Sequence, residues 1–134
     1  MARVLGVGGI FFKSPDPAAL AGWYGRWLGL GVEGWGGVIF EPGAMPPGAV
    51  TVWSPFKETT DYFAPSENGF MFNLVVDDLD AALAQVAEGG AEVSGRAEEF
   101  NGRFGWFIDP DGNKVELWEP AAPAGAEGGG ADGS

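Results

Sequence analysis

The sequence predicts an α+β fold built from two tandem strand-helix-three-strand units. Three observations carry that expectation. The same order of element signals occurs twice along the 134 residues. The two helix starts, Asp16 and Asp78, are 62 residues apart (78 − 16), and Trp53-Ser54-Pro55 and Trp118-Glu119-Pro120 are 65 apart (118 − 53), near-equal offsets that suggest a tandem repeat of one unit. Hydrophobic residues make up 46% and aromatics 13% of the chain, enough for a packed core in a single domain.

In the first unit (4–53), the stretch 4–13 mixes Gly6, Gly8 and Gly9 with Val7, Ile10, Phe11 and Phe12 and reads as a strand with room on one side. Ser14-Pro15-Asp16-Pro17 ends it. Asp16 is a good N-cap and Pro17 a good first helical residue; Leu20, Trp23, Tyr24, Trp27 and Leu28 then recur at helical spacing up to Gly29. Residues 32–35, 37–41 and 49–53 are expected to be three short strands, separated by Gly and Pro punctuation.

Residues 54–69 are polar but carry Phe56, Tyr62 and Phe63, and read as an ordered connection. In the second unit (70–120), 70–76 is a strand, Asp78 caps a helix with Leu79, Ala82, Leu83 and Val86 on one face, and Gly89-Gly90 closes it. Strands are expected at 91–94, 103–108 and 114–120, the last two joined by Asp109-Pro110-Asp111-Gly112-Asn113, a strong turn signal. Residues 121–134 are nearly all Ala, Gly and Pro and read as a disordered tail.

Seven basic against 19 acidic residues leave a formal charge of −12, which argues against duplex nucleic acid or anionic membrane as a partner, since both need a basic face. No apolar run is long enough to span a bilayer, and the N-terminus lacks a secretory signal, so a cytoplasmic protein is expected. With no Cys and no His there is no thiolate nucleophile, no imidazole base and no zinc site of the usual type. Proton transfer falls to carboxylate, tyrosine or lysine, and a metal held by this chain alone would need oxygen ligands.

The doubled unit, the Asp16 helix start, Trp23-Tyr24 before Leu28-Gly29-Leu30, and above all Asp109-Pro110-Asp111-Gly112-Asn113-Lys114-Val115-Glu116-Leu117 resemble the vicinal oxygen chelate superfamily. Its members include glyoxalases, extradiol dioxygenases, fosfomycin-resistance transferases, methylmalonyl-coenzyme A epimerases and bleomycin-resistance proteins. The resemblance covers residues 4–120, taken as a single glyoxalase/bleomycin-resistance-like domain. It implies eight strands in a curved mixed sheet, two units enclosing a ligand cavity from one chain or two, and a homodimer.

The resemblance also implies four metal-ligand positions, which fall on Gly9, Thr51, Met71 and Glu116. Only Glu116 is a strong oxygen ligand; glycine has no side chain, a thioether is soft and a neutral hydroxyl is weak. No cofactor is therefore expected, although a divalent metal with Glu116 as its lone protein ligand is the alternative. Strand parity says which residues share the cavity wall: Phe11 with Gly9, Asn73 with Met71, Trp53 with Thr51, and Lys114 and Trp118 with Glu116. A turn that pairs Ile108 with Lys114 sets Trp106 opposite Glu116.

The candidate ligand-binding residues are thus Phe11, Thr51, Trp53, Met71, Asn73, Trp106 and Trp118, with Glu116 as the candidate catalytic group. Glu116 has three functional readings, as a metal ligand, a general base or the acid that orients a cationic ligand, beside the plain one of a salt-bridged strand carboxylate. Acids at 77, 78 and 80 are explained by helix capping, and Asp109 and Asp111 by the turn. The leading expectation is a metal-independent binder of an aromatic or cationic small molecule. The alternatives are a glyoxalase-like lyase or extradiol-dioxygenase-like enzyme with an atypical metal site, and an accessory ligand-sensing module.

Overall fold

The computed structural model describes residues 1–122; the expected tail lies, all but its first two residues, outside the described residues. Helix α1 (Pro17–Leu28) starts where Asp16 accepts a hydrogen bond from the Ala19 amide at 3.1 Å with proline in the first turn, and stops at Gly29 in the left-handed region (φ 67°). A short 3-10 turn spans Pro42–Ala44. Strand β1 (Phe72–Val75) leads to α2 (Leu79–Glu88), capped by Asp78 through the Ala81 amide at 3.0 Å. Strands β2 (Glu92–Glu99), β3 (Gly102–Ile108) and β4 (Lys114–Pro120) follow.

The four strands form one mixed sheet in the order β1-β4-β3-β2, with β1 parallel to β4 and the other pairs antiparallel. Residues 72–120 are thus a complete strand-helix-three-strand unit. Both helices cover one face of this sheet. Leu20 and Tyr24 of α1 and Leu79, Ala82, Leu83 and Val86 of α2 pack on Phe107, Val115 and Leu117, and the last three are wholly buried. Gly105 lets α2 come close, because a Cβ there would sit 2.8 Å from Leu83. The helices are tied to each other by the Trp23 indole N–H on the Gly89 carbonyl (2.9 Å) and the Gln85 amide on the Trp27 carbonyl (2.7 Å).

The Asp109-Asn113 turn is a polar lock. Asp109, 4% exposed, accepts four hydrogen bonds: from the amides of Asp111 and Asn113, from Asn113 Nδ2, each at 2.9 Å, and from the Tyr24 hydroxyl at 2.8 Å. Gly112 supplies the positive φ (84°) the turn requires. Burial and the neighbouring Asp109 carboxylate push the Tyr24 phenol far above its ordinary range. The turn signature therefore fastens α1 to the sheet through Tyr24.

The first half differs from expectation. Residues 4–13, 32–35, 37–41 and 49–53 form no strand, so the sheet has four strands instead of eight among the described residues. Their backbone hydrogen bonds stay within local turns, such as Val32 to Leu30 and Glu33 to Gly37, and without an adjacent edge no ladder forms. Their apolar side chains stay exposed, Phe11 at 94% and Trp53 at 80%. In the second half, β2 runs to Glu99, beyond the expected end at Ser94. Its polar run Arg96-Ala97-Glu98-Glu99 is that of a charged edge strand, and the pairing slips between Val93 and Gly95. No helix among the described residues is long and apolar enough to cross a membrane.

Candidate ligand site

The face of the sheet opposite the helices carries the unusual chemistry. Alternation along β4 turns Val115 and Leu117 to the core and Lys114, Glu116 and Trp118 to the other side. Register brings neighbours alongside: Asn73 of β1 and Trp106 of β3 both pair with Glu116, and Val75 and Phe104 flank Trp118. Ile108 pairs with Lys114, the register that the length of the turn predicts.

Glu116 is the hub of this face. Its Oε1 accepts from Asn73 Nδ2 at 2.7 Å, while Oε2 accepts from the Tyr62 hydroxyl at 2.7 Å and from Trp106 Nε1 at 2.9 Å. Three donors from three parts of the chain converge on one half-buried carboxylate. The Tyr62 ring stands edge-on to Trp106, with centroids 6.3 Å apart and planes at 87°. Lys114 completes the group, its ammonium donating to the Tyr62 carbonyl at 2.7 Å and lying 5.1 Å from the Tyr62 ring centroid and 5.9 Å from that of Trp106. Partial burial, then the hydrogen bond to Glu116, push the Tyr62 phenol up to about 12.

Trp118 forms the next stretch of wall. It stacks on Phe104 at 6.1 Å with planes 5° apart, and its indole N–H donates to the Asn101 carbonyl at 3.0 Å. Being 6% exposed, it serves the packing of the hairpin as well as the face. Asn73, Trp106, Trp118 and Glu116 are therefore side by side. Phe11 and Met71 instead line a groove of ≈ 660 Å³, shared with Phe12, Lys13, Asn68 and Asn113. Thr51 and Trp53 are exposed in the unpaired stretch, and none of these four residues hydrogen-bonds to Glu116.

Tyr62 is the residue that sequence reasoning did not single out for the site. Its signal was there in the aromatic triplet of an otherwise polar connection: Phe56 stacks on Tyr62 (5.8 Å, 15°) and tilts against Phe63 (5.2 Å). Nothing local says that this cluster lies over β3 and β4. Among the described residues, no three acidic side chains gather as they would around a cation.

Comparison with known proteins agrees with this architecture. Residues 9–118 match the family described as Glyoxalase-like domain. Among solved structures, the chain is similar to TnmS3, an antibiotic binding protein from Streptomyces sp. CB03234, at 23% identity and a TM-score of 0.56, over 90% of this chain and 100% of that one. Among curated proteins none matches. A family match over most of the chain, on a fold shared with TnmS3, establishes that the chain belongs to the glyoxalase-like family of the vicinal oxygen chelate superfamily.

Proposed function

We propose that this is a cytoplasmic, metal-independent small-molecule-binding protein that takes an aromatic or cationic compound against Trp106, Trp118 and Glu116. The observation that carries the reading is a carboxylate held by three neutral donors beside two indoles on one sheet face. Indole faces favour flat rings and cations, and a fixed carboxylate selects a donor or a positive charge. Likeness to a protein described as antibiotic binding supports small-molecule binding as the task.

The donor set does not fit a divalent cation. Both Glu116 oxygens already accept N–H or O–H bonds, and the surrounding groups point hydrogens, not lone pairs, at it. Glycine, threonine and methionine at the other three positions add no strong ligand. A metal-dependent lyase or dioxygenase built on Glu116 is the second reading, because the family resemblance implies a ligand position at Glu116.

The exposed apolar side chains of the first half fit a homodimer in which residues 4–53 of a second copy complete the sheet and bring Phe11, Thr51 and Trp53 to the site. Calorimetric titration of chelator-treated protein with naphthalene-sized aromatic compounds and with aliphatic compounds of the same size tests the function. Aromatic binding that survives chelation and is lost in Glu116→Gln combined with Trp118→Ala is the expected result. Binding or turnover that appears only with about one divalent metal per chain would transfer the case to the enzyme reading.

A further inference from the structure

Tyr62 occupies the carboxylate that a ligand would need. We infer that its phenol is a built-in surrogate of the ligand, and that the true ligand is a neutral hydroxyaromatic compound that displaces Tyr62 from Glu116 on entry. The inference rests on the binding reading above and adds to it the chemical class and the competing residue.

The geometry around Tyr62 describes its replacement. An aromatic hydroxyl donates to Glu116 Oε2 at 2.7 Å while its ring stands edge-on to Trp106. A ligand with the same two features exchanges one O–H to carboxylate hydrogen bond for another and leaves no oxygen unpaired. A fixed cation fares worse there. Lys114 already holds its ammonium 5.1 Å from the Tyr62 ring centroid and 5.9 Å from that of Trp106, on the same face as Glu116, so an incoming cation would meet a like charge there. That ammonium also favours the electron-rich face of a phenol ring.

The segment that carries Tyr62 is built to leave. Residues 54–69 contain no helix or strand, and their backbone hydrogen bonds are local turns, Thr60 to Lys57, Ala64 to Asp61 and Ser66 to Phe63. Side-chain hydrogen bonds to the sheet and its turn come through Tyr62 itself, the Lys114 bond to the Tyr62 carbonyl, and Asn68 to Asn113 at 2.7 Å. Tyr62 is 38% exposed. Two of those three ties meet at one residue, so lifting Tyr62 uncovers Glu116 and Trp106 together.

Four probes at neutral pH separate the possibilities by calorimetry: 2-naphthol, naphthalene, 1-methylquinolinium and 2-naphthoate. The parent protein should bind 2-naphthol about tenfold tighter than the other three, and Glu116→Gln should erase most of that preference. Tyr62→Phe removes the competing hydroxyl and keeps the ring, so it should bind 2-naphthol about fivefold tighter, as expected if the closed form holds about four-fifths of the population. If 1-methylquinolinium or naphthalene binds the parent as well as 2-naphthol, or if Tyr62→Phe binds 2-naphthol no tighter, this inference falls while the binding function stands. If none of the four binds either protein, both fall.

Discussion

Replacing Tyr24 by Phe removes one hydroxyl from the centre of the molecule and keeps its ring, which packs edge-on to Trp23 at 5.1 Å. The lost contact is a buried 2.8 Å hydrogen bond to a carboxylate, a class that contributes about 1.5–3 kcal/mol. Asp109 retains three donors, the amides of Asp111 and Asn113 and Asn113 Nδ2, so no orphaned charge adds to the cost. At about 4 °C per kcal/mol for a domain of this size, Tm should fall by about 6–12 °C. Urea unfolding with an unchanged slope would confirm that stability alone has changed. Asp109→Ala strips all four bonds and should cost clearly more than Tyr24→Phe. A Tyr24→Phe loss below about 0.5 kcal/mol would refute the idea that the turn signature works by fastening α1 to the sheet.

Other expectations follow from the same geometry. Because the phenols of Tyr24 and Tyr62 are both raised in the folded state, their stabilisation is complete below the ordinary tyrosine value near 10 and is lost as pH rises from there through the folded values, about 12 for Tyr62 and higher for Tyr24; urea midpoints of the parent should therefore fall toward those of Tyr24→Phe between about pH 10 and 12. Parallel curves over that interval would contradict the assignment. Arg96→Ala breaks an ion pair with Asp80 whose partners are both more than half exposed, and Tm should stay within about 2 °C of the parent. Trp106→Phe deletes an indole donor to Glu116 and should weaken aromatic binding more than it lowers Tm, a split read by calorimetry beside thermal melts. Sedimentation at micromolar protein should give the mass of two chains; a monomer would remove the second copy from the account.

Much of this was legible because local chemistry speaks for itself. Asp16-Pro17 and Asp78 announce helix starts, and both cap as expected. The length of the Asp109-Asn113 turn sets the register that pairs Trp106 with Glu116, and alternation then places Asn73 and Trp118 on the same face. What was not legible depends on partners far along the chain. The apolar stretches at 4–13 and 49–53 have strand composition, but a strand exists only beside an edge that pairs with it, and composition does not name that edge. Tyr62 lies 54 residues before Glu116 in a segment with no periodicity, so only the folded chain brings its hydroxyl to the carboxylate.

The central claim, that Glu116 and Trp106 form the ligand site, is tested most directly by a crystal structure of chelator-treated protein bound to 2-naphthol. The account predicts the ring against Trp106, its oxygen within hydrogen-bonding distance of Glu116, and Tyr62 withdrawn. A ring seated instead in the groove lined by Phe11 and Met71, with Tyr62 still on Glu116, would contradict it.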